Sequence, residues 1–296
     1  MINFFINDIF HYLPGFIAII LLFIFVTKVI LSKKTVLNKK PYLYSLPLLL
    51  IGLLVASFYL LARAYLAEFY FKKSLAVKNV KEIYDYQRLA IITNPFIERF
   101  RLSFSQTNLL IANSLAIKVN TPEVEPNLHD NTSGVNELSA QDRQTISKAI
   151  QAAIEEAKAA VRLNEKRAAN WENLAMVYRH LLNTADGADA WAISSYQRAI
   201  VLDPQNPKYR LDLGGVYYTL KNYDQAQRLF EQAASLKPDW PNAHYNLAWA
   251  LFQKEDYQRA ISEMQTVLSL LDKQKDKADY EKAKKDLKEF KLKISQ

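Results

Sequence analysis

Cysteine is absent from this 296-residue chain, which excludes a disulfide framework and thiolate metal sites and leaves the redox compartment open. Glycine is scarce, at 6 residues, while half the chain is hydrophobic, a balance that suits helices over a turn-dense β fold. Histidines are few and scattered (His11, His129, His180, His244), with no His-x-x-x-His spacing for a metal. There is no glycine-rich phosphate loop and no Gly-x-Ser-x-Gly nucleophile elbow. The neighbours Glu155 and Glu156 point roughly 100° apart on a helix, so they cannot flank one substrate bond. A hydrolase built on Glu155 or His180 has no supporting spacing. Asn131-Thr-Ser133 fits a glycosylation sequon, a three-residue match that chance readily supplies. No catalytic constellation, cofactor site or metal site is expected, and the chain is not expected to be an enzyme.

Charge is unevenly placed. Residues 1–73 hold eight Lys/Arg against two Asp/Glu, so most of the net charge of +8 lies there. The basic character therefore marks membrane-flanking lysines and excludes a nucleic-acid surface. Residues 44–62 carry no charge and are long enough to span a bilayer as a helix. Ile9 to Ile30 is nearly as apolar, with Lys28 placed to snorkel from its end. The start Met-Ile-Asn-Phe-Phe-Ile-Asn-Asp has no basic n-region, which favours two spans over a signal peptide. Lys33, Lys34, Lys39 and Lys40 crowd the loop between the spans, so that loop is expected in the cytoplasm and both termini on the far side. Lys72, Lys73, Lys78 and Lys81 follow the second span and pull the other way.

Beyond the spans, two segments superimpose at a spacing of 34 residues. Leu213-Gly214 recurs as Leu247-Ala248, Tyr223 as Tyr257, Ala226 as Ala260, Phe230 as Met264 and Leu236 as Leu270. A fixed period of small and large apolar residues marks a helix-turn-helix unit that stacks on copies of itself. Earlier copies are distorted. Trp171-x-x-Leu174-Ala175-x-x-Tyr178 pairs with Tyr196-x-x-Ala199, with five residues inserted around Asn183–Asp189. Phe104-Ser105 pairs with Ala153, Ala157 and Ala160 across some 36 extra residues, mostly the polar stretch 119–138. Ser139-x-x-Asp142 has the form of a capping box opening the next helix. Ile83, Gln87 and Ala90 look like the second helix of a unit whose first helix continues out of the membrane. At the C-terminus, Tyr280, Ala283, Leu287, Phe290 and Ile294 share one helix face.

The segment Leu213-Gly214-x-x-Tyr217 … Tyr223-x-x-Ala226-x-x-x-Phe230-x-x-Ala233 … Pro238 resembles the tetratricopeptide repeat (TPR) family. That resemblance implies a binding scaffold whose first helices line a concave face. It assigns to that face Glu172, Met176, Arg179 and His180; then Lys208, Leu211, Gly215, Tyr218 and Thr219; then Asn242, Tyr245, Trp249, Phe252 and Gln253. Tyr218, Tyr245, Trp249 and Phe252 are expected as apolar anchors, Arg179 and Lys208 as polar selectors. The alternative is that the C-terminal helix folds over the aromatic stripe and makes it core. The family's carboxylate-clamp positions hold Ala169/Asn173, Lys208/Asp212 and Asn242/Asn246, a poor match. His244 takes the place of a large packing residue, and a satisfied structural histidine is expected there.

The expected architecture is all-α: two transmembrane helices, a TPR-like α-solenoid and a C-terminal capping helix. Its parts are a two-span anchor at 1–66, membrane-proximal degenerate repeats at 67–118, an excursion loop at 119–138, repeats at 139–272 and the cap at 273–296. The expected function is a membrane-anchored scaffold for a protein or peptide, in contact with the lipid bilayer, in the plasma (inner) membrane with its repeats outside the cytoplasm. A rival follows from a resemblance to the repeat-bearing tails of bacterial O-antigen ligase or polymerase-type proteins, which have many more spans. It implies an accessory or truncated part of an envelope-polysaccharide system.

Overall fold

The computed structural model describes Lys28 and residues 42–120 and 139–294. Among these residues the regular structure is α-helical throughout, in eleven long helices. They are α1 (Tyr42–Ala76), α2 (Val80–Thr93), α3 (Glu98–Asn120), α4 (Ala140–Leu163), α5 (Ala168–Arg179), α6 (Ala188–Leu202), α7 (Pro207–Thr219), α8 (Tyr223–Leu236), α9 (Pro241–Gln253), α10 (Tyr257–Leu270) and α11 (Lys277–Ile294). The excursion loop expected at 119–138 lies outside the described residues but for its first two, which end α3.

The chain divides into two units, Met1–Leu66 and Ala67–Gln296. In the first, α1 exposes Leu49, Leu53, Val55, Phe58, Leu60 and Leu61. Leu49–Ala76 is long and apolar enough to cross a membrane by length and composition, with a mean hydropathy of 2.0. It is one such helix among the described residues. The other expected span, Ile9 to Ile30, lies outside them apart from Lys28, so two spans are not established.

The second unit is a row of helical pairs. Caps fix where its helices begin: Asn79, Ser139, Asn206, Asn222 and Asp256 each accept backbone N–H bonds of the following turn. Asp142 N–H donates to Ser139 Oγ at 3.0 Å, so the helix-opening box read from sequence is present. Pairing within a repeat depends on small residues at the crossing. An added Cβ on Gly214 would lie 2.5 Å from Phe230 Cε1, so only hydrogen lets that ring lie flat on α7. In the membrane-proximal copy Ser105 takes this place, and its hydroxyl donates to the Ala153 carbonyl at 2.8 Å in the buried α3–α4 contact.

Four turns between successive repeats share one device. In each, a side chain six residues on donates to a turn carbonyl. Arg101 Nε reaches Pro95 O at 3.0 Å, Trp171 Nε1 reaches Glu165 O at 2.8 Å, Arg210 Nη1 reaches Pro204 O at 2.6 Å and His244 Nε2 lies 2.9 Å from Pro238 O. Four different residues thus occupy one repeat position for one reason: a carbonyl left over at a helix junction needs a donor. The periodicity extends back to α2–α3, where the sequence match has faded. His244 also meets Glu263 Oε2 at 2.7 Å through Nδ1, which makes it the satisfied structural histidine expected.

The insertion after Arg179 differs from a plain surface loop. Leu181 and Leu182 are buried, and Asn183 (φ 63°) and Gly187 (φ 71°) reverse the chain in left-handed conformations before α6.

Candidate functional site: the first-helix face of α5, α7 and α9

Along α5 and α7 the expected face carries a charge lattice. Lys208 is paired with Glu172 of the preceding repeat and with Asp212 one turn on, the latter at 2.7 Å. Arg179 Nη1 lies 3.1 Å from Asp212 Oδ1. Burial works to lower the Lys208 pKa, but hydrogen bonds to Asp212 and Glu172 outweigh it and raise the pKa overall. Beneath the lattice, Tyr196 of α6 is buried. Its hydroxyl is pushed up to about 12, first by burial and then by the Asp212 charge. Two acids and two bases thus cancel across adjacent repeats, and the selectors Arg179 and Lys208 are already engaged by protein carboxylates. Asp212 knits both together; at the sequence level it was visible only as a residue opposing a clamp.

The other expected residues of this half sort by burial. Glu172, Met176 and Tyr218 are half-buried, while Arg179, His180, Lys208 and Thr219 are exposed. A Cβ on Gly215 would meet nothing within 4 Å, so the surface is open there. Leu211 is buried and faces the core instead of the surface. Asn173 is likewise buried, donating to Ser105 Oγ at 3.1 Å, so it joins two repeats and cannot serve as a clamp.

On α9 the arrangement changes. The Phe290 ring of α11 stacks on Phe252 at 4.4 Å between centroids and meets Trp249 edge-on at 5.1 Å. Tyr245 donates its hydroxyl to Asp286 at 2.7 Å, with the Lys282 ammonium 4.9 Å from its ring centre. Ala283, Asp286, Leu287 and Phe290 are all buried in this contact. The stripe of Tyr245, Trp249 and Phe252 is therefore a helix–helix contact in place of the open set of anchors. Phe290 has the size and flatness to fill what three aromatics leave between them. Asn242 remains exposed at the start of α9.

Paired helices repeated in register, with small residues at the crossing, are what a tetratricopeptide array requires. Residues 211–275 match the tetratricopeptide repeat family model. The TPR match runs from within α7 to the link before α11, where the 34-residue period is cleanest. Solved structures support a TPR-type fold over a longer stretch. A thermophilic TPR protein of Thermus thermophilus is 17% identical at a TM-score of 0.50, over 73% of this chain and 98% of its own. A MamA double mutant (MamA RS-1 ArsTM) is 14% identical at a TM-score of 0.51, over 72% and 97%. Pseudomonas aeruginosa pilF is 14% identical at a TM-score of 0.50, over 71% and 79%. No curated protein matches the chain.

Proposed function

We propose that this protein is a membrane-anchored TPR scaffold that binds a protein or peptide segment along the first-helix face of α5 and α7. The observation that supports this most is the open, laterally neutralised lattice of Glu172, Arg179, Lys208 and Asp212. Met176, Gly215 and Tyr218 flank it with apolar contact area. Because each charge already has a partner, a ligand gains little from a lone carboxylate and more from a backbone that exchanges with the lattice while a side chain rests on Met176 or Tyr218. Membrane anchoring rests on α1, whose apolar side chains are exposed over the length of a bilayer. Lys33, Lys34, Lys39 and Lys40 before it support, by the positive-inside rule, repeats outside the cytoplasm of an inner membrane, against the pull of Lys72, Lys73, Lys78 and Lys81.

A photo-crosslinker at Tyr218 in the membrane-embedded chain should give a discrete protein adduct that Arg179→Glu together with Lys208→Glu abolishes. An adduct indifferent to those changes, or one confined to the chain itself, defeats the reading. Protease cleavage of a C-terminal tag from outside intact inner membranes checks the orientation, and protection reverses it. The envelope-polysaccharide alternative rests on sequence resemblance alone. An unchanged surface glycan after deletion rules it out.

A further inference from the structure

Phe96 is the odd residue in the second unit: 77% of it is exposed on a turn whose backbone is firmly held. The Asn94 side chain accepts from its N–H at 3.2 Å, and Arg101 grips the carbonyl before it while pairing with Glu156 at 2.6 Å. Three further turns share this geometry, and their matching positions carry Lys166, Gln205 and Asp239, all exposed. The turn therefore has no need of an aromatic side chain, and Phe96 contributes little to the packing. Ile92 (60% exposed) and Leu89 (39% exposed) continue its stripe along α2 at helical spacing. An exposed Arg88 lies beside them. An exposed apolar stripe of this kind marks a contact surface.

The position of this stripe within the unit indicates its occupant. After the short link at 77–79, α2 runs back along the last turns of α1. Lys73 Nζ lies 4.6 Å from the Tyr86 ring centre, and Ala90 and Phe100 pack with Ala67 and Phe71. Arg99, at the start of α3, pairs with Glu68. The α2–α3 turn thus sits at the Ala67 end of the unit, where the apolar α1 enters it. The start of α2 lies at the Ala76 end, about 14 Å away at ~1.5 Å per residue. An exposed Phe, Ile and Leu with a neighbouring Arg at the point where an apolar helix arrives have the composition of a membrane-interface contact.

We propose that the α2–α3 turn is a second membrane contact: Phe96 and Ile92 rest in the lipid headgroup region. This rests on the anchoring reading above. The chain's lack of cysteine makes any introduced thiol unique. Fluorescent labels are placed singly at Ile92→Cys, Ser57→Cys and Gln205→Cys in the full chain. The protein is reconstituted in phosphatidylethanolamine/phosphatidylglycerol vesicles carrying either headgroup- or acyl-chain-nitroxide lipids. The Ser57 label should be quenched from the acyl chains. The Ile92 label should be quenched from the headgroups at least about twofold more than the Gln205 label, and Phe96→Asp should abolish that excess. Quenching at Ser57 with Ile92 no higher than Gln205 overturns this proposal alone. Absence of quenching at Ser57 overturns the anchoring reading and this proposal with it.

Discussion

The α5–α7 half and the α9 half of the first-helix face belong to successive repeats and have opposite fates. On α5 and α7 the face carries Glu172, Arg179, Lys208 and Asp212, charges that pair within α7 and sideways between the two repeats and leave the two basic side chains exposed. On α9 it carries three aromatics, which α11 covers with Phe290 and Asp286. The chemistry of each half thus determines whether the chain's own next helix binds there. Charged rows are satisfied laterally at small cost, whereas an aromatic row in water drives burial.

Removing the cover tests this most severely. Phe290→Ala deletes a fully buried ring held between Trp249 and Phe252 and should cost about 3–5 kcal/mol, read by urea unfolding of the solubilised protein. Ile294→Ala, at the exposed end of the same helix, should be close to neutral. Retained stability in Phe290→Ala means α11 rests on α9 without being bound to it.

Two adjacent glycines sharpen the contrast between packed and open faces of α7. Gly214→Ala drives a methyl into the Phe230 ring and should destabilise by about 1–3 kcal/mol. Gly215→Ala meets open space and should be stabilising by up to ~1 kcal/mol through helix propensity, as thermal melts would show. Equal effects from the two would mean that the crossing has slack.

The open half should respond to alkali. The folded-state pKa values of Tyr196 and Lys208 lie above their unfolded values, so the stability they contribute is fully present below pH 10. For Tyr196 it is lost as pH rises from 10.0 towards about 12. Unfolding midpoints compared at neutral and alkaline pH should therefore fall less in Tyr196→Phe than in the parent chain. An identical fall places the alkaline weakness elsewhere. The smallest effect is expected at the surface: Lys208→Ala breaks two exposed pairs and should cost no more than about 1 kcal/mol in the same melts. A larger loss would turn the lattice from a recognition surface into a structural brace.

Much of the second unit was legible in the sequence. The spacing of Leu213-Gly214 and Leu247-Ala248 placed the helical pairs, and Ser139 placed the start of α4. The buried core of α11 follows the face read from Ala283, Leu287 and Phe290, while Ile294 frays outward at 43% exposure. Less of the candidate site was legible. Leu211 and Asn173 were read onto or near the surface, but Leu211 packs into the core and Asn173 turns to Ser105 of the preceding repeat. The shared turn donor was missed because Arg101, Trp171, Arg210 and His244 have no chemical class in common beyond an N–H at the right reach. Leu181 and Leu182 were missed because a polar insertion hides two apolar residues that the neighbouring helices can bury.

By itself, the sequence determined the helical class, the repeat length, the charge-free stretch 44–62 within α1 and the lack of cysteine. These follow from composition and from contacts within one or two turns, which local spacing encodes. Only the tertiary structure decided which rows face water, that α11 claims the aromatic stripe and that the lattice neutralises itself. It also decided that Phe96 stands out from a turn lying at the same end as Ala67. Each of these depends on the angle at which one helix crosses another, and that angle is fixed by the packing of all the repeats together.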